Sequence, residues 1–116
     1  MVVDSERAKL LRDITAKMSE EVALVLTYLY INNDGRTVAE TMADTKLDKN
    51  RTRLALILLD TVLLIEKSRI DRCLVYSITE DGKAALRFML DETAYPGRKI
   101  KLFAILNIAD ADVVFD

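Results

Sequence analysis

The sequence predicts a single, mainly α-helical domain that contains one small β-hairpin. At 116 residues the chain is long enough for one hydrophobic core and too short for two. Its 51% of apolar and 31% of charged residues indicate a globular fold rather than a disordered chain. Apolar residues recur at helical spacing over most of the chain, and two short strand-like segments, 63–67 and 73–78, interrupt that pattern.

Two helices are predicted before the first strong turn signal. Asp4 or Ser5 can cap a helix that runs to about Met18. Its apolar residues recur every three or four positions, at Ala8, Leu11, Ile14 and Met18. Ser19 can cap a second helix, in which residues 22–31 are apolar on nearly every side. We therefore expect more than one neighbour to cover that helix.

A short third helix and a longer fourth helix follow the turn at residues 32–35. Thr37 can cap the third helix, over residues 38–43, and Asp48 can cap the fourth, which gives a segment 48–61. The inward residues would be Val38, Ala39 and Met42 in the third helix, and Thr52, Ala55 or Leu56, and Leu59 in the fourth.

The fourth helix has the charge pattern of a DNA recognition helix. Its first turn is cationic and contains no acid, although the helix dipole favours acids there. A helix that buries its far half and presents cations at its N-terminal end fits the major groove. The polar residues concerned are Lys49, Asn50, Arg51 and Arg53. Three further apolar residues, Leu54, Ile57 and Leu58, leave open whether the outer face reads base edges or covers a protein partner.

A hairpin and another helix are predicted next. The segments 63–67 and 73–78 would be strands, with residues 68–72 as the turn between them. Thr79 can cap a helix that runs to about Glu92. Its inward residues would be Ala84 or Ala85, Leu86, Met89 and Leu90.

The chain after Pro96 fits a helix better than a strand, and Ile100, Phe103, Ala104 and Ile108 would then share one face. The apolar run 113–115 needs a surface to cover it. We therefore expect residues 1–18 and 97–116 to be dimerisation extensions of a core at about 19–90. The predicted interface residues are Leu11, Ile14, Ile100, Phe103 and Ile108.

The composition argues against catalysis and for binding. The chain has no histidine, which removes the commonest general base and metal ligand. We expect a protein that is not an enzyme and uses no cofactor or metal; Asp110 and Asp112 are interpreted as solvated acids rather than a cation site. Cys73, the only cysteine, is expected to be a small buried residue rather than a redox sensor. Tyr28 and Tyr30 are expected in the core or in a dimer interface.

The chain is slightly acidic overall, but one of its segments is rich in cations. The net charge is −2 and the pI about 5.2, whereas a nucleic-acid-binding domain is usually basic. The segment 46–53, however, holds four cations against one acid, and the acids of the last stretch begin only at Asp110. Apolar runs are all shorter than the ~18 residues of a membrane span, and the N-terminus lacks the apolar core of a secretory signal. These features predict a cytoplasmic protein without membrane contact.

From about Ser19 to Leu90 the order of elements resembles the winged helix-turn-helix superfamily of transcription regulators, especially its MarR-like and PadR-like groups and their small archaeal and viral relatives. The run 47–59, continuing to residues 64–67, is similar to the recognition helix and first wing strand. The run 76–83 is similar to the second wing strand entering the motif (L/I)TExG(K/R). The chain departs from the family at Leu63, where the family usually has glycine.

The resemblance implies a homodimer that binds double-stranded DNA sequence-specifically as a transcription regulator. The recognition helix 48–61 would enter the major groove, and the wing 64–78 would lie on the backbone or in the minor groove. The wing cations would be Lys67, Arg69 and Arg72, although exposed strand edges also carry such residues merely to block sheet pairing. The alternative is a winged-helix protein-interaction module without DNA binding, which the acidic pI and the apolar recognition helix favour.

Overall fold

A computed structural model describes residues 5–109 of the chain. In this range six helices and one two-stranded antiparallel sheet follow one another. Their bounds are α1 Ser5–Ala16, α2 Glu20–Ile31, α3 Val38–Thr45, α4 Lys49–Thr61, β1 Ile65–Ile70, β2 Cys73–Ile78, α5 Glu80–Met89 and α6 Arg98–Ile105. The expected architecture, a mainly α-helical winged helix-turn-helix domain with an extra helix before it and a helix after it, is confirmed. The predicted apolar run 113–115 and the acids Asp110 and Asp112 lie outside the described residues.

The second helix is the centre of the core. The Ser19 hydroxyl caps it by accepting a hydrogen bond from the Val22 backbone N–H at 3.2 Å. Every residue from 22 to 29 is buried, because α3, α4, α5, α6 and β2 all contact this helix. This confirms the prediction that α2 is covered on more than one side. On the other side of the domain α1 packs against α5 and buries Leu11.

The third helix begins as predicted, and two of its three predicted inward residues, Val38 and Met42, are half-buried. Thr37 and Glu40 form a reciprocal capping box at its start. The fully buried residues are Thr41 and Thr45, on the same side of the helix, whereas Ala39 is exposed, so the prediction was wrong for Ala39 alone. Threonine is tolerated inside because each hydroxyl donates to the carbonyl one turn earlier, at 2.8 Å and 2.6 Å.

The fourth helix has the predicted bounds and the predicted inward face. The Asp48 carboxylate caps it by accepting from the Arg51 backbone N–H at 2.8 Å. Its buried residues are Thr52, Ala55, Leu56 and Leu59. It ends without a glycine, because Leu63 itself adopts the left-handed conformation with φ of 64°. The Leu64 N–H then donates to the Leu59 carbonyl, which completes a Schellman motif.

The hairpin is longer and tighter than the sequence predicted. The first strand is Ile65–Ile70 rather than 63–67, and only Asp71 and Arg72 form the turn. Both have positive φ, as a two-residue type I′ turn requires, and this close connection extends the first strand to within two residues of the second. Arg36 adds an isolated bridge to Tyr76, with backbone hydrogen bonds of 2.9 Å and 2.8 Å in the two directions.

Cys73 is exposed, so the expectation of a buried cysteine was wrong. It opens β2 directly after the hairpin turn, at the tip that projects beyond the core. The following helix, α5, buries the predicted residues but ends at Met89 instead of Glu92.

The segment after Pro96 contains the predicted helix, α6. The buried residues of α6 are Leu102 and Phe103, whereas Ile100 is 72% exposed and Ala104 is also exposed. The prediction that Ile108 shares a helix face with Ile100, Phe103 and Ala104 was wrong, because the helix ends at Ile105. Ile108 lies beyond the helix, where its N–H closes the C-terminal cap on the Phe103 carbonyl. In the part of the chain that the structure describes, no helix is long and apolar enough to cross a membrane.

Candidate nucleic-acid interface

The first turn of α4 presents the predicted polar residues to solvent. Lys49, Asn50, Arg51 and Arg53 are all exposed. The guanidinium of Arg51 lies 3.5 Å from a carboxylate oxygen of Glu21 and 3.5 Å from one of Asp48. Lys49 and Arg53 have no ion-pair partner among residues 5–109. The turn therefore combines Arg51, which is in two ion pairs, with Lys49 and Arg53, which are free to bind a polyanion.

The opposite face of α4 holds this turn in place. The buried residues Thr52, Ala55, Leu56 and Leu59 recur at intervals of three, one and three, which is one stripe of a helix. Tyr28 further fixes the neighbouring helix α3, since its hydroxyl donates to Asp44 Oδ2 at 2.6 Å. Burial and this hydrogen bond raise the pKa of Tyr28 above its ordinary value, so the phenol stays protonated and the contact persists at neutral pH.

The wing carries its three predicted cations on exposed positions. Lys67, Arg69 and Arg72 all lie on the hairpin, and Arg72 is in the turn itself. The Lys67 ammonium is 3.8 Å from Asp60 at the end of α4, with more than half of its side chain exposed. Arg69 and Arg72 have no ion-pair partner in the described range. The two free arginines are thus available to a ligand beside α4.

A tight junction connects the end of α4, the wing and the start of α5. The Thr79 hydroxyl donates to the Leu63 carbonyl at 2.8 Å and accepts from the Gly82 N–H at 3.1 Å. The Thr79 N–H donates to the Leu64 carbonyl at 3.0 Å. A Cβ on Gly82 would lie 2.1 Å from that same carbonyl oxygen, so only glycine fits here. The threonine and glycine of the motif quoted above therefore serve to position the wing.

Two cationic positions near this surface were not among the predicted site residues. Lys46 is exposed and lies in the turn between α3 and α4, with a left-handed φ of 65°. The charge run 46–53 was the signal that could have identified it. Arg36 is half-buried, and its guanidinium donates to Asp34, to the Gly35 carbonyl and to Asn32 at 2.7 to 2.9 Å. With its donors engaged in the chain itself, Arg36 fixes the turn beside the wing.

The predicted dimer residues are divided between core and surface. Leu11 is buried where α1 packs against α5, and Phe103 is buried on α6, which packs against α2. Both are therefore part of their own chain's core. Ile14 and Ile108 are half-buried, and only Ile100 is largely exposed. Two further exposed apolar residues, Leu10 and Ile105, lie on the same two helices, at 58% and 44% exposure.

The arrangement of α2, α3, α4, the hairpin and α5 defines a winged helix-turn-helix fold. No protein-family model and no curated protein sequence matches the chain. Solved structures that share the fold include Bordetella bronchiseptica BpsR, whose DNA binding is regulated by 6-hydroxynicotinic acid. It has a TM-score of 0.64 and 18% identity over 92% of this chain and 78% of that one.

Two other solved structures have the same fold. S. aureus MepR bound to an oligodeoxyribonucleotide has a TM-score of 0.63 and 16% identity, over 93% of this chain and 80% of that one. Lactococcus lactis ZitR has a TM-score of 0.57 and 20% identity, over 83% of this chain and 66% of that one. Identities this low establish the shared fold alone.

Proposed function

We propose that this protein binds double-stranded DNA as a homodimeric transcription regulator. The observation that carries the proposal is the exposed, acid-free first turn of α4, where Lys49 and Arg53 have no partner among the described residues. In a winged helix-turn-helix fold this turn is the part of the recognition helix that enters the major groove. Two proteins that share the fold support this: BpsR, whose DNA binding is regulated, and MepR, whose structure contains a bound oligodeoxyribonucleotide.

The side chains on this turn suit the contacts that DNA offers. Arginine pairs with guanine through two hydrogen bonds, and asparagine pairs with adenine in the same way. Arg53 and Asn50 are exposed on one side of the helix and would read base edges. Arg51 is held between Glu21 and Asp48, so we assign it to a phosphate contact with a smaller share of the affinity.

The wing would add contacts that do not depend on sequence. Arg69 and Arg72 extend from a hairpin that the Thr79 junction ties to the end of α4. With α4 in the major groove, such a hairpin lies along the phosphates or over the minor groove. Phosphate contacts of this kind release counterions, so binding should fade steeply as salt rises.

A dimer would place two recognition helices about 34 Å apart on a pseudo-palindromic site. We assign the interface to α1 and α6, with the exposed Ile100 at its centre and the exposed Leu10 and Ile105 and the half-buried Ile14 beside it. Light scattering at tens of micromolar should give the mass of a dimer. The variant Ile100→Lys should give the mass of a monomer with unchanged far-UV circular dichroism. A monomeric wild-type chain would contradict the dimer and leave the DNA proposal standing.

One feature favours a second function, a protein-interaction module. A groove of about 270 Å³ lies between the end of α1, the start of α2 and the end of α4, with mostly apolar walls. Its lining includes Ile14, Met18, Val22, Leu58 and Val62. A protein partner could occupy this groove, whereas DNA could not enter an apolar cleft of this kind.

Fluorescence anisotropy with labelled random duplex DNA distinguishes the two functions. We expect wild-type protein to bind at low salt, with a logarithm of affinity that falls linearly with the logarithm of salt concentration. The variant Arg53→Ala should bind more weakly, and Arg87→Ala, an exposed arginine at the far end of α5, should bind as wild type does. An absence of salt-dependent binding by the wild type would contradict the DNA proposal and favour the interaction module.

A further inference from the structure

The outer face of α4 combines polar and apolar residues in an unusual way. Leu54 and Ile57 are 58% and 60% exposed. They continue the stripe that starts with Asn50 and Arg53, because positions 50, 53, 54 and 57 repeat at intervals of three, one and three. The buried stripe has the same intervals two residues further along, so the two stripes lie on opposite faces of the helix. Two large apolar side chains therefore stand at the centre of the outermost face.

The surroundings of these two residues favour a polyanionic ligand over a protein. The outer face from residue 50 to residue 57 has no acidic side chain, and Lys49 and Arg53 beside it have no ion-pair partner in the described range. Asp60, the acidic residue of α4 itself, lies 3.8 Å from the Lys67 ammonium. The apolar groove at the end of α4 uses Leu58 and Val62 instead, on another side of the helix.

We propose that Leu54 and Ile57 contact the C5-methyl groups of thymines in the major groove and thereby set a preference for A·T pairs at those positions. This inference rests on the DNA-binding function proposed above and assigns its specificity. The thymine methyl is the apolar group that base pairs expose in the major groove. Residues 50 to 57 extend about 10 Å along the helix, which matches a groove about 12 Å wide.

The proposal predicts a measurable dependence on one methyl group. Burying a methyl-sized group changes affinity about fourfold, which corresponds to about 0.8 kcal/mol. Replacing thymine by uracil removes this methyl and leaves every hydrogen-bonding group of the base pair in place. Uracil-containing DNA should therefore bind about fourfold more weakly for each thymine methyl that the protein buries.

The test starts from random duplexes selected by the wild-type protein and copied with either dTTP or dUTP. Wild type should prefer the thymine pool, and Leu54→Ala with Ile57→Ala should reduce that preference to near unity. The variant Leu58→Ala, which removes an exposed leucine from another side of the same helix, should retain it. A further uracil pool that carries 5-methylcytosine should stay weak, since the proposal assigns the contact to thymine.

Each other outcome overturns the proposal. Equal wild-type affinity for the thymine and uracil pools, with salt-dependent binding intact, contradicts the methyl contact and leaves the DNA function standing. Loss of salt-dependent binding altogether would overturn both. If the double alanine variant keeps the thymine preference but changes the sedimentation coefficient of the free protein, the face is a protein-docking surface. Thermal melting of the variants confirms that they are folded, and the thymine–uracil comparison needs no variant at all.

Discussion

The two ends of α4 differ in how many contacts their side chains make within the chain. At the C-terminal end, Leu63, Thr79 and Gly82 join the helix to the wing and to α5, with hydrogen bonds between 2.8 and 3.1 Å and no room for an added Cβ. At the N-terminal end, Lys49 and Arg53 extend into solvent with no ion-pair partner in the described range. The polar groups at the C-terminal end of α4 are thus bonded within the chain, whereas two cations at its N-terminal end remain available to a ligand.

This difference separates residues that hold the structure from residues that await a ligand. A side chain in the junction contributes mainly to the free energy of unfolding, because its partners belong to the same chain. A side chain on the open turn contributes little to stability and is free to contribute to binding. Variants at the two ends should therefore change different measured quantities, and the following experiments examine that separation.

The largest effect is expected at Gly82. An alanine Cβ would lie 2.1 Å from the Leu64 carbonyl oxygen and 2.6 Å from the Ile78 side chain, so the start of α5 must shift. We expect Gly82→Ala to lower the free energy of unfolding by about 3 kcal/mol, measured by urea denaturation. Gly97→Ala is the control, because Gly97 has φ of 80° but no atom within 4 Å of an added Cβ. Equal losses in the two variants would refute the tight junction.

The wing cations should carry the next largest effect, on binding alone. If each of these side chains contacts a phosphate, as we propose, replacing Lys67, Arg69 and Arg72 by alanine removes three phosphate contacts per subunit, each worth about one unit of the salt slope. Between 50 and 200 mM salt, the affinity should then fall about 60-fold less per subunit than for the wild type. The control replaces Lys9, Arg87 and Lys101 by alanine, which makes the same change in net charge at exposed positions on other helices. An equal slope change in both variants would mean that only net charge matters.

A single residue of the open turn should have a smaller effect. Arg53→Ala should weaken binding to the preferred duplex by about 2 kcal/mol and relax the preference at one base position, while the melting temperature stays within a degree or two. Arg51→Ala should weaken binding less, because Glu21 and Asp48 already engage that guanidinium. Quantitative selection on a randomised duplex measures both quantities. A changed melting temperature with unchanged binding would place Arg53 with the structural residues.

The smallest effect is a gain in stability at Leu63. This residue is 68% exposed and adopts a left-handed φ of 64°, which is costly for any side chain with a Cβ. We expect Leu63→Gly to stabilise the protein by about 1 kcal/mol and to raise its melting temperature by about 4 °C. Thr61→Gly, at the last residue of α4, should lower the melting temperature instead. A loss of stability in Leu63→Gly would mean that the leucine side chain makes contacts that stabilise the junction.

Local sequence signals determined where the helices begin. Ser19, Thr37, Asp48 and Thr79 each cap the predicted helix, because a cap is a hydrogen bond between residues two or three positions apart. The buried face of α4 was also predictable, since its inward residues recur at helical spacing along one stripe. The exposed cationic turn followed directly from those two features.

Only the tertiary structure decided which residues of α3 and α6 are fully buried and what the hairpin tip exposes. Both helices are eight residues long and carry apolar residues on more than one side, so their inward faces depend on the position of α2. Cys73 is exposed because the two-residue turn carries the hairpin beyond the core. The close approach of Gly82 to the Leu64 backbone likewise arises between elements distant in sequence. Caps and stripes are local and can be read along the chain, whereas these features depend on contacts that exist only after the elements pack together.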